Sequence, residues 1–354
     1  MERGSSLHGS GDFDSAYDSR GADDEMNKTL LIAIALSTVA ACGDSTEGPG
    51  GGGAGAGAGS AGGGNTGGAG AAEGGGPQVG GAGFGGMTTE DFVAGGDRPV
   101  NVLLPDGYDP DVPTPLVILL HGYGADSTVQ DSYFVMSAVA AAQGLVFAAP
   151  DGTTDEGGAR FWNATDACCD FYAAGVDDSA YLEGLLDEIE SRVNIDPKRV
   201  YFVGHSNGGF MTYRMACDHA DRVTAIVSLA GATFENQNDC AATEPVSVLQ
   251  IHGTADTDIQ YEGGLHGSSG VLFPGAVETV GRWATVDGCD ATSAPGTPRD
   301  IELEIAGDET TVDVYAGCDG TAVELWSIQG GGHVPSLVES FSGQVIEWLL
   351  AQSK

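Results

Sequence analysis

Lysine and arginine are scarce in this chain: 13 of them stand against 51 aspartates and glutamates among 354 residues, a formal net charge of −38. A surface of that sign repels phosphate backbones and anionic lipid headgroups, which excludes nucleic acid as an expected partner. A long apolar run is also missing. Crossing a bilayer as a helix takes about 20 apolar residues, and the strongest candidate, within Met26–Gly43, offers roughly half of that. No acidic cluster has the spacing of a calcium loop, so the excess of acid is expected to serve solubility rather than metal binding. No internal repeat is present.

Glycine, by contrast, is abundant and unevenly placed. Of 58 glycines, 22 lie between Ser45 and Gly86, where there is little to bury and much backbone entropy to lose. Residues 43–87 therefore read as a tether. Upstream, MNKTLLIAIALSTVAACG has a lysine, a short apolar run and small residues ending at Cys42, the layout of an export signal. Val39-Ala40-Ala41-Cys42 resembles a bacterial lipobox, which makes residues 26–42 an expected lipoprotein signal peptide and Cys42 the expected lipidated residue. The acidic residues 1–25 do not suit the front of such a signal, so Met26 is the expected start. The localisation expected is exported, either secreted or held in the cell envelope.

Residues 88–354 keep ordinary apolar content and the size of one α/β domain. They hold 41 acids against 10 Lys and Arg, a net charge of −31. Cys168, Cys169, Cys217, Cys240, Cys289 and Cys318 make an even set, which in an exported domain points to disulfides and not to metal ligands. Six cysteines permit fifteen pairings, and the adjacent Cys168 and Cys169 either bridge to each other or each pair elsewhere.

Short apolar runs bounded by Gly or Pro recur at Pro115–Leu120, Leu145–Pro150, Arg199–Gly204, Val223–Gly231, Val246–Gly253 and Val323–Gly330, as in strands buried on both faces. Segments with helical spacing lie between them, at Gln130–Gln143, Val176–Val193, Gly208–His219, around Trp283 and at Leu337–Gln352. A polar hairpin precedes the first buried run. The alternation predicts a mostly parallel sheet with helices on both faces.

In such sheets functional groups gather beyond the carboxyl ends of the strands. Gly204-His205-Ser206-Asn207-Gly208 follows one strand end and has the G-x-S-x-G spacing of a strand-to-helix elbow. There the serine must be held in a tight turn and side chains at 204 and 208 would collide. A serine hydroxyl needs a neighbouring base to act as nucleophile. His333, after three glycines, is the expected base, and Asp256 the expected acid that orients it, with Asp258 as the alternative. The backbone N–H groups of Asn207 and of Tyr123, in His121-Gly122-Tyr123, are the expected oxyanion donors. His121 reads as a structural anchor, His205 as turned away from the site, and His219 and His266 as weaker candidates for the base. Phe161, Trp162, Phe171, Tyr172 and Tyr261 are candidate cleft aromatics, with Trp162 and Tyr261 foremost. No metal and no organic cofactor is expected.

LVILLHGYGAD, PDGT with Phe161-Trp162-Asn163-Ala164, the Cys168-Cys169 pair, IDPKRVYFVGHSNGGFMTYRMAC, IHGTAD and GGGH together resemble the secreted esterases described as polyhydroxybutyrate depolymerases. That group merges into the feruloyl and acetylxylan esterases of carbohydrate esterase family one. The resemblance implies the α/β-hydrolase fold, a triad at Ser206, Asp256 and His333, and disulfides Cys217–Cys240 and Cys289–Cys318. It implies an exported monomeric serine esterase acting on feruloyl or acetyl esters of plant polysaccharide fragments or on short polyester chains. The alternatives are a poly(3-hydroxybutyrate) depolymerase proper and, in another class, a non-catalytic binding lipoprotein on the same fold. A prolyl-oligopeptidase-like peptidase would share the triad order, but its propeller is missing. The chain departs from the family at Ser179-Ala180-Tyr181, at Ile259-Gln260 and at Val334-Pro335-Ser336, positions expected to border the cleft.

Overall fold

A computed structural model describes residues 88–354. The expected extension at 1–25, the signal at 26–42 with Cys42, and the tether at 43–87 lie outside the described residues. No helix among the described residues is long and apolar enough to cross a membrane.

The polar opening segment forms an edge hairpin, with β1 (Phe92–Ala94) antiparallel to β2 (Val100–Leu103). The run PLVILL becomes β3 (Thr114–Leu120), buried at every position. Then come α1 (Ser127–Phe134), α2 (Met136–Gln143) and β4 (Val146–Ala148). A two-stranded ribbon of β5 (Thr153–Thr154) and β6 (Arg160–Phe161) precedes α3 (Asp178–Glu190). The centre is built by β7 (Ile195–His205), α4 (Asn207–Asp218), β8 (Ala225–Leu229) and β9 (Ser247–Gly253). A second hairpin, β10 (Gly263–Leu265) with β11 (Leu272–Pro274), leads into α5 (Ala276–Val286). β12 (Ser293–Pro295), β13 (Thr310–Tyr315), β14 (Val323–Ile328) and α6 (Phe341–Leu350) complete the domain.

Ten strands form one sheet in the order β1-β2-β4-β3-β7-β8-β9-β14-β13-β12. The six from β4 to β14 run parallel, and the antiparallel pairs close both edges. This topology is the α/β-hydrolase fold. Because side chains alternate along a strand, Leu116, Ile118 and Leu120 of β3 face a core shared with α3 and α4, whereas Val117 and Leu119 face one shared with α1, α2 and α6. Each such side chain contributes about 1.5–3 kcal/mol by burial, and a one-residue slip would exchange the two faces. The buried runs are therefore continuous because both faces are covered.

The helix expected over Gln130–Gln143 is two helices. Val135 sits between them in the left-handed region at φ 55°, an unfavourable place for a β-branched residue. Local bonds offset the cost. Asp131 Oδ1 accepts the Ser137 backbone N–H at 2.8 Å, and the Phe134 carbonyl accepts the hydroxyl of Ser342 instead of continuing the helix.

Three disulfides are present: Cys168–Cys169, Cys217–Cys240 and Cys289–Cys318. The second ties the end of α4 to the segment after β8, and the third ties the segment after α5 to the β13–β14 loop. Each of these two closes a loop of a length that stabilises by about 3–4 kcal/mol in the chain-entropy model.

Beside the third bridge, Asp287 caps α5 and is fully buried. Burial pushes its carboxyl up to about 6, although donors such as the Val246 N–H pull the other way. The unfolded carboxyl titrates near 4, so between about pH 4 and 6 the folded state keeps a proton that the unfolded state has released. Folding therefore weakens as pH rises through that window. Asp287→Asn is expected to remove this loss, gaining up to about 3 kcal/mol over wild type between pH 4 and 7. Denaturant unfolding at both pH values measures it, and equal pH slopes for the two proteins would contradict it.

Candidate active site

The turn between β7 and α4 holds Ser206 at φ 53° and ψ −120°, a conformation that L residues rarely adopt and that an elbow demands. Two glycines make the turn possible. A Cβ on Gly204 would stand 2.3 Å from the Gly208 carbonyl oxygen, and one on Gly208 would stand 2.3 Å from that of Leu120. The Ser206 side chain is thus lifted to the carboxyl edge of the sheet, at the start of a helix whose first N–H groups have no acceptor within the helix.

Ser206 Oγ lies 2.9 Å from His333 Nε2, and His333 Nδ1 lies 2.8 Å from Asp256 Oδ2. A carboxylate can only accept, so Nδ1–H donates to Asp256. The other ring nitrogen of the neutral imidazole is then free of its proton and accepts from the Ser206 hydroxyl. Three residues spaced over 127 positions of chain are so joined in one hydrogen-bonded line. Chemically, such a line can draw the proton from the hydroxyl as its oxygen attacks an electrophile.

The acid and base loops are locked backbone to backbone. Ala255 N–H donates to the Gly331 carbonyl at 2.9 Å, Thr254 N–H to Ile328, and Gly330 N–H to the Thr254 hydroxyl. Gly253 is required here, since a Cβ would lie 2.3 Å from the Gly331 oxygen. Asp256 is buried, and its Oδ1 accepts the backbone N–H groups of Asp258 and Ile259, each at 2.9 Å. Asp258 is exposed and supplies only that N–H. Burial opposes ionisation of Asp256, but hydrogen bonds from His252 and His333 outweigh it and hold the carboxyl well below the usual carboxylate range.

Two histidines enter the site unannounced by motif. His252 Nε2 lies 3.3 Å from Asp256 Oδ2 and donates to the Ile259 carbonyl at 2.8 Å, while its Nδ1 accepts from Gln250. His205, expected to turn away, instead donates from Nε2 to the His333 backbone carbonyl at 2.9 Å, with the two rings 5.2 Å apart. It packs beneath the site against Tyr133 and Phe134. Burial, aided by the nearby His333 charge, lowers its pKa to about 3 and keeps the ring neutral.

Trp162, expected in the cleft, has no exposed surface and is structural. Its backbone N–H donates to Asn207 Oδ1 at 2.7 Å, its carbonyl accepts from Asn207 Nδ2 at 2.8 Å, and its indole N–H donates to the His121 carbonyl at 3.1 Å. It ties the loop of Tyr123 to the first residue of α4, the two segments expected to supply oxyanion donors. Phe161 is buried likewise. Tyr261 is half-buried, its hydroxyl bonded to Ser327 Oγ at 2.7 Å and its ring edge-on to His252, behind the site and not in front of it. His121 is an anchor: Nδ1 donates to the Gly122 carbonyl and Nε2 accepts from Gly152 N–H.

One other serine meets a histidine. Ser179 Oγ lies 2.9 Å from His219 Nε2, but it is buried, also bonds Asp218, and sits within α3. That cluster clamps α3 to α4. Two surface cavities of about 420 Å³, one beside Arg299 and Gln344 and the other beside Phe234 and Trp283, contain none of Ser206, Asp256 and His333.

A family model described as "Esterase: Putative esterase" matches residues 93–309, a span that includes Ser206 and Asp256. The chain is 29% identical over 243 residues to feruloyl esterase B of Piromyces equi, covering 67% of this chain and 42% of that one. It is also 29% identical over 168 residues to a bifunctional acetylxylan esterase/xylanase of Neocallimastix patriciarum, covering 48% of this chain and 23% of that one. The chain thus spans less than half the length of these two curated relatives. Among solved structures, an acetyl xylan esterase from Aspergillus awamori aligns with a TM-score of 0.49 and 17% identity over 75% of this chain and 96% of that one.

Proposed function

This chain belongs to the esterase family, and from that premise we propose that it is a serine ester hydrolase working through an acyl-enzyme on Ser206. The observation that carries the reading is the continuous Ser206–His333–Asp256 line, at 2.9 and 2.8 Å, on a strained elbow. Ser206 Oγ attacks the ester carbonyl carbon while its proton passes to His333 Nε2. The carbonyl oxygen becomes an oxyanion held by the backbone N–H groups of Asn207 and Tyr123, donors worth on the order of 3 kcal/mol each. The bond to the alcohol oxygen then breaks, His333 returns the proton to that oxygen, and the alcohol leaves. Water, deprotonated by the same imidazole, releases the acid and restores Ser206.

Asp256 keeps His333 in the tautomer with hydrogen on Nδ1, and stays ionised to stabilise the imidazolium. No step calls for a metal or an organic cofactor. The substrates we propose are feruloyl or acetyl esters of plant polysaccharide fragments. The names of the curated relatives support this choice, as does the motif resemblance. We further read the chain as exported, a reading supported by three disulfides. A side-by-side assay of methyl ferulate, acetylated xylan and polyhydroxybutyrate tests the proposal. Turnover of the first two above the third is expected, and no release of acid from any ester would refute it.

A further inference from the structure

Outward from Ser206 runs a wall that the mechanism above does not use. A Cβ on Gly122 would lie 3.5 Å from Ser206 Cβ, so Tyr123 is the first side chain beyond the serine on that side. The Tyr123 ring packs against Phe171 at 5.1 Å, and Phe171 stacks on His266 at 5.2 Å with 27° between planes. The sulfurs of Cys168 and Cys169 and a ring nitrogen of His266 all lie within 4.8 Å of one another. Cys168 Sγ in turn accepts from Asn207 Nδ2 at 3.5 Å, the side chain next to Ser206. Two segments therefore start at the two oxyanion donors and converge on Phe171 and His266.

Tyr123, Phe171 and His266 are all partly exposed, unlike the buried Phe161 and Trp162. The hairpin that carries His266 shows Leu265 (58% exposed) and Leu272 (52%) in directly paired positions, and Tyr172 and Val334 are exposed beside Phe171 and His333. An apolar rim of this kind marks a binding surface. Within the wall the one polar ring is neutral: burial and the nearby His333 lower the His266 pKa. Its Nδ1 accepts from Ser268 N–H at 3.3 Å, so the ring hydrogen is on Nε2, a donor suited to an oxygen substituent.

We propose that Tyr123, Phe171, His266 and the bridged Cys168–Cys169 pair form the subsite for a planar, oxygen-substituted aromatic ring on the acid part of the ester. The inference rests on the hydrolase reading above and names the side of the ester that carries the ring. During acyl transfer the departing alcohol must face His333, which protonates it, so the acid part extends on the side of the oxyanion donors. That side carries the wall. Stacked rings and a polarisable disulfide favour an aromatic partner over an alkyl chain.

The test compares kcat/KM for methyl ferulate and methyl acetate in wild type, Phe171→Ala and His266→Ala, with melting temperature as a check on folding. Phe171→Ala is expected to lower the ferulate value about tenfold or more, mainly through KM, with the acetate value within twofold. His266→Ala, at a hairpin tip, is expected to act in the same direction and to be partly rescued in His266→Gln. Equal loss on both esters, or no loss on either, overturns the subsite. Calorimetric titration of ferulic acid into Ser206→Ala separates the two claims. Phe171-dependent binding by a protein that hydrolyses neither ester would sink the hydrolase reading and keep the subsite. Hydrolysis of methyl acetate without ferulic acid binding would do the reverse.

Discussion

Ser206→Ala is expected to lower kcat/KM for a short-chain nitrophenyl ester by about 10³-fold or more, with unfolding within about 1 kcal/mol of wild type. In hydrolases of this type, loss of the nucleophile costs up to about 10⁶-fold in kcat, and the residue of activity comes from oxyanion donors and binding. Here those donors are backbone groups, which the substitution does not touch. Ser206 Oγ makes one hydrogen bond, to His333 Nε2, and the imidazole keeps its Nδ1 bond to Asp256 without it. Alanine meets the same φ of 53° as serine, so backbone strain is unchanged. A large loss of rate with a small change of stability is therefore the signature to look for in paired kinetic and denaturant measurements.

Asp256→Asn is expected to cost on the order of 10⁴-fold in kcat, because it forces the wrong imidazole tautomer. The surroundings decide which way the amide lies. Asp256 Oδ1 accepts two backbone N–H groups, from Asp258 and Ile259, so the amide oxygen of an asparagine must stay there. Its NH₂ group then faces His333 Nδ1 and His252 Nε2, where the carboxylate oxygen stood. His333 can accept that hydrogen only by moving its own to Nε2, which can no longer take the proton of Ser206. His252 cannot adapt, since its Nε2–H is bonded to the Ile259 carbonyl. The amide and His252 N–H groups then oppose each other, and a further loss of about 1–3 kcal/mol in stability is expected. Steady-state kinetics together with urea unfolding of the variant check both parts. An unchanged kcat would assign the orienting role elsewhere.

The parallel centre of the fold was legible because each of its strands is buried on both faces, leaving runs such as PLVILL that periodicity alone picks out. The edge strands β12 and β13 were not, since TTVDVY mixes exposed and buried positions as a half-covered strand must. The break at Val135 was hidden because its cause, Ser342 reaching the Phe134 carbonyl, lies 208 residues away in sequence. In the candidate site, Ser206, Asp256 and His333 stood out because each follows a strand end with glycine close by. Trp162 misled, because tryptophan in a polar loop looks exposed until its three hydrogen bonds to Asn207 and His121 are known. His205 and His252 passed unnoticed because both lie in strand runs, where a histidine resembles core. The wall of Phe171 and His266 joins segments 95 residues apart, and no local pattern announces such a contact.

The central claim is that Ser206, and no other hydroxyl, is the nucleophile, and it is tested most directly by labelling the protein with a fluorophosphonate and weighing it intact. One covalent adduct per chain is predicted, mapped to the peptide containing Ser206, with hydrolysis lost in step with labelling and neither seen in Ser206→Ala. An adduct on another residue such as Ser179, or full ester hydrolysis by a protein quantitatively labelled at Ser206, would contradict the account.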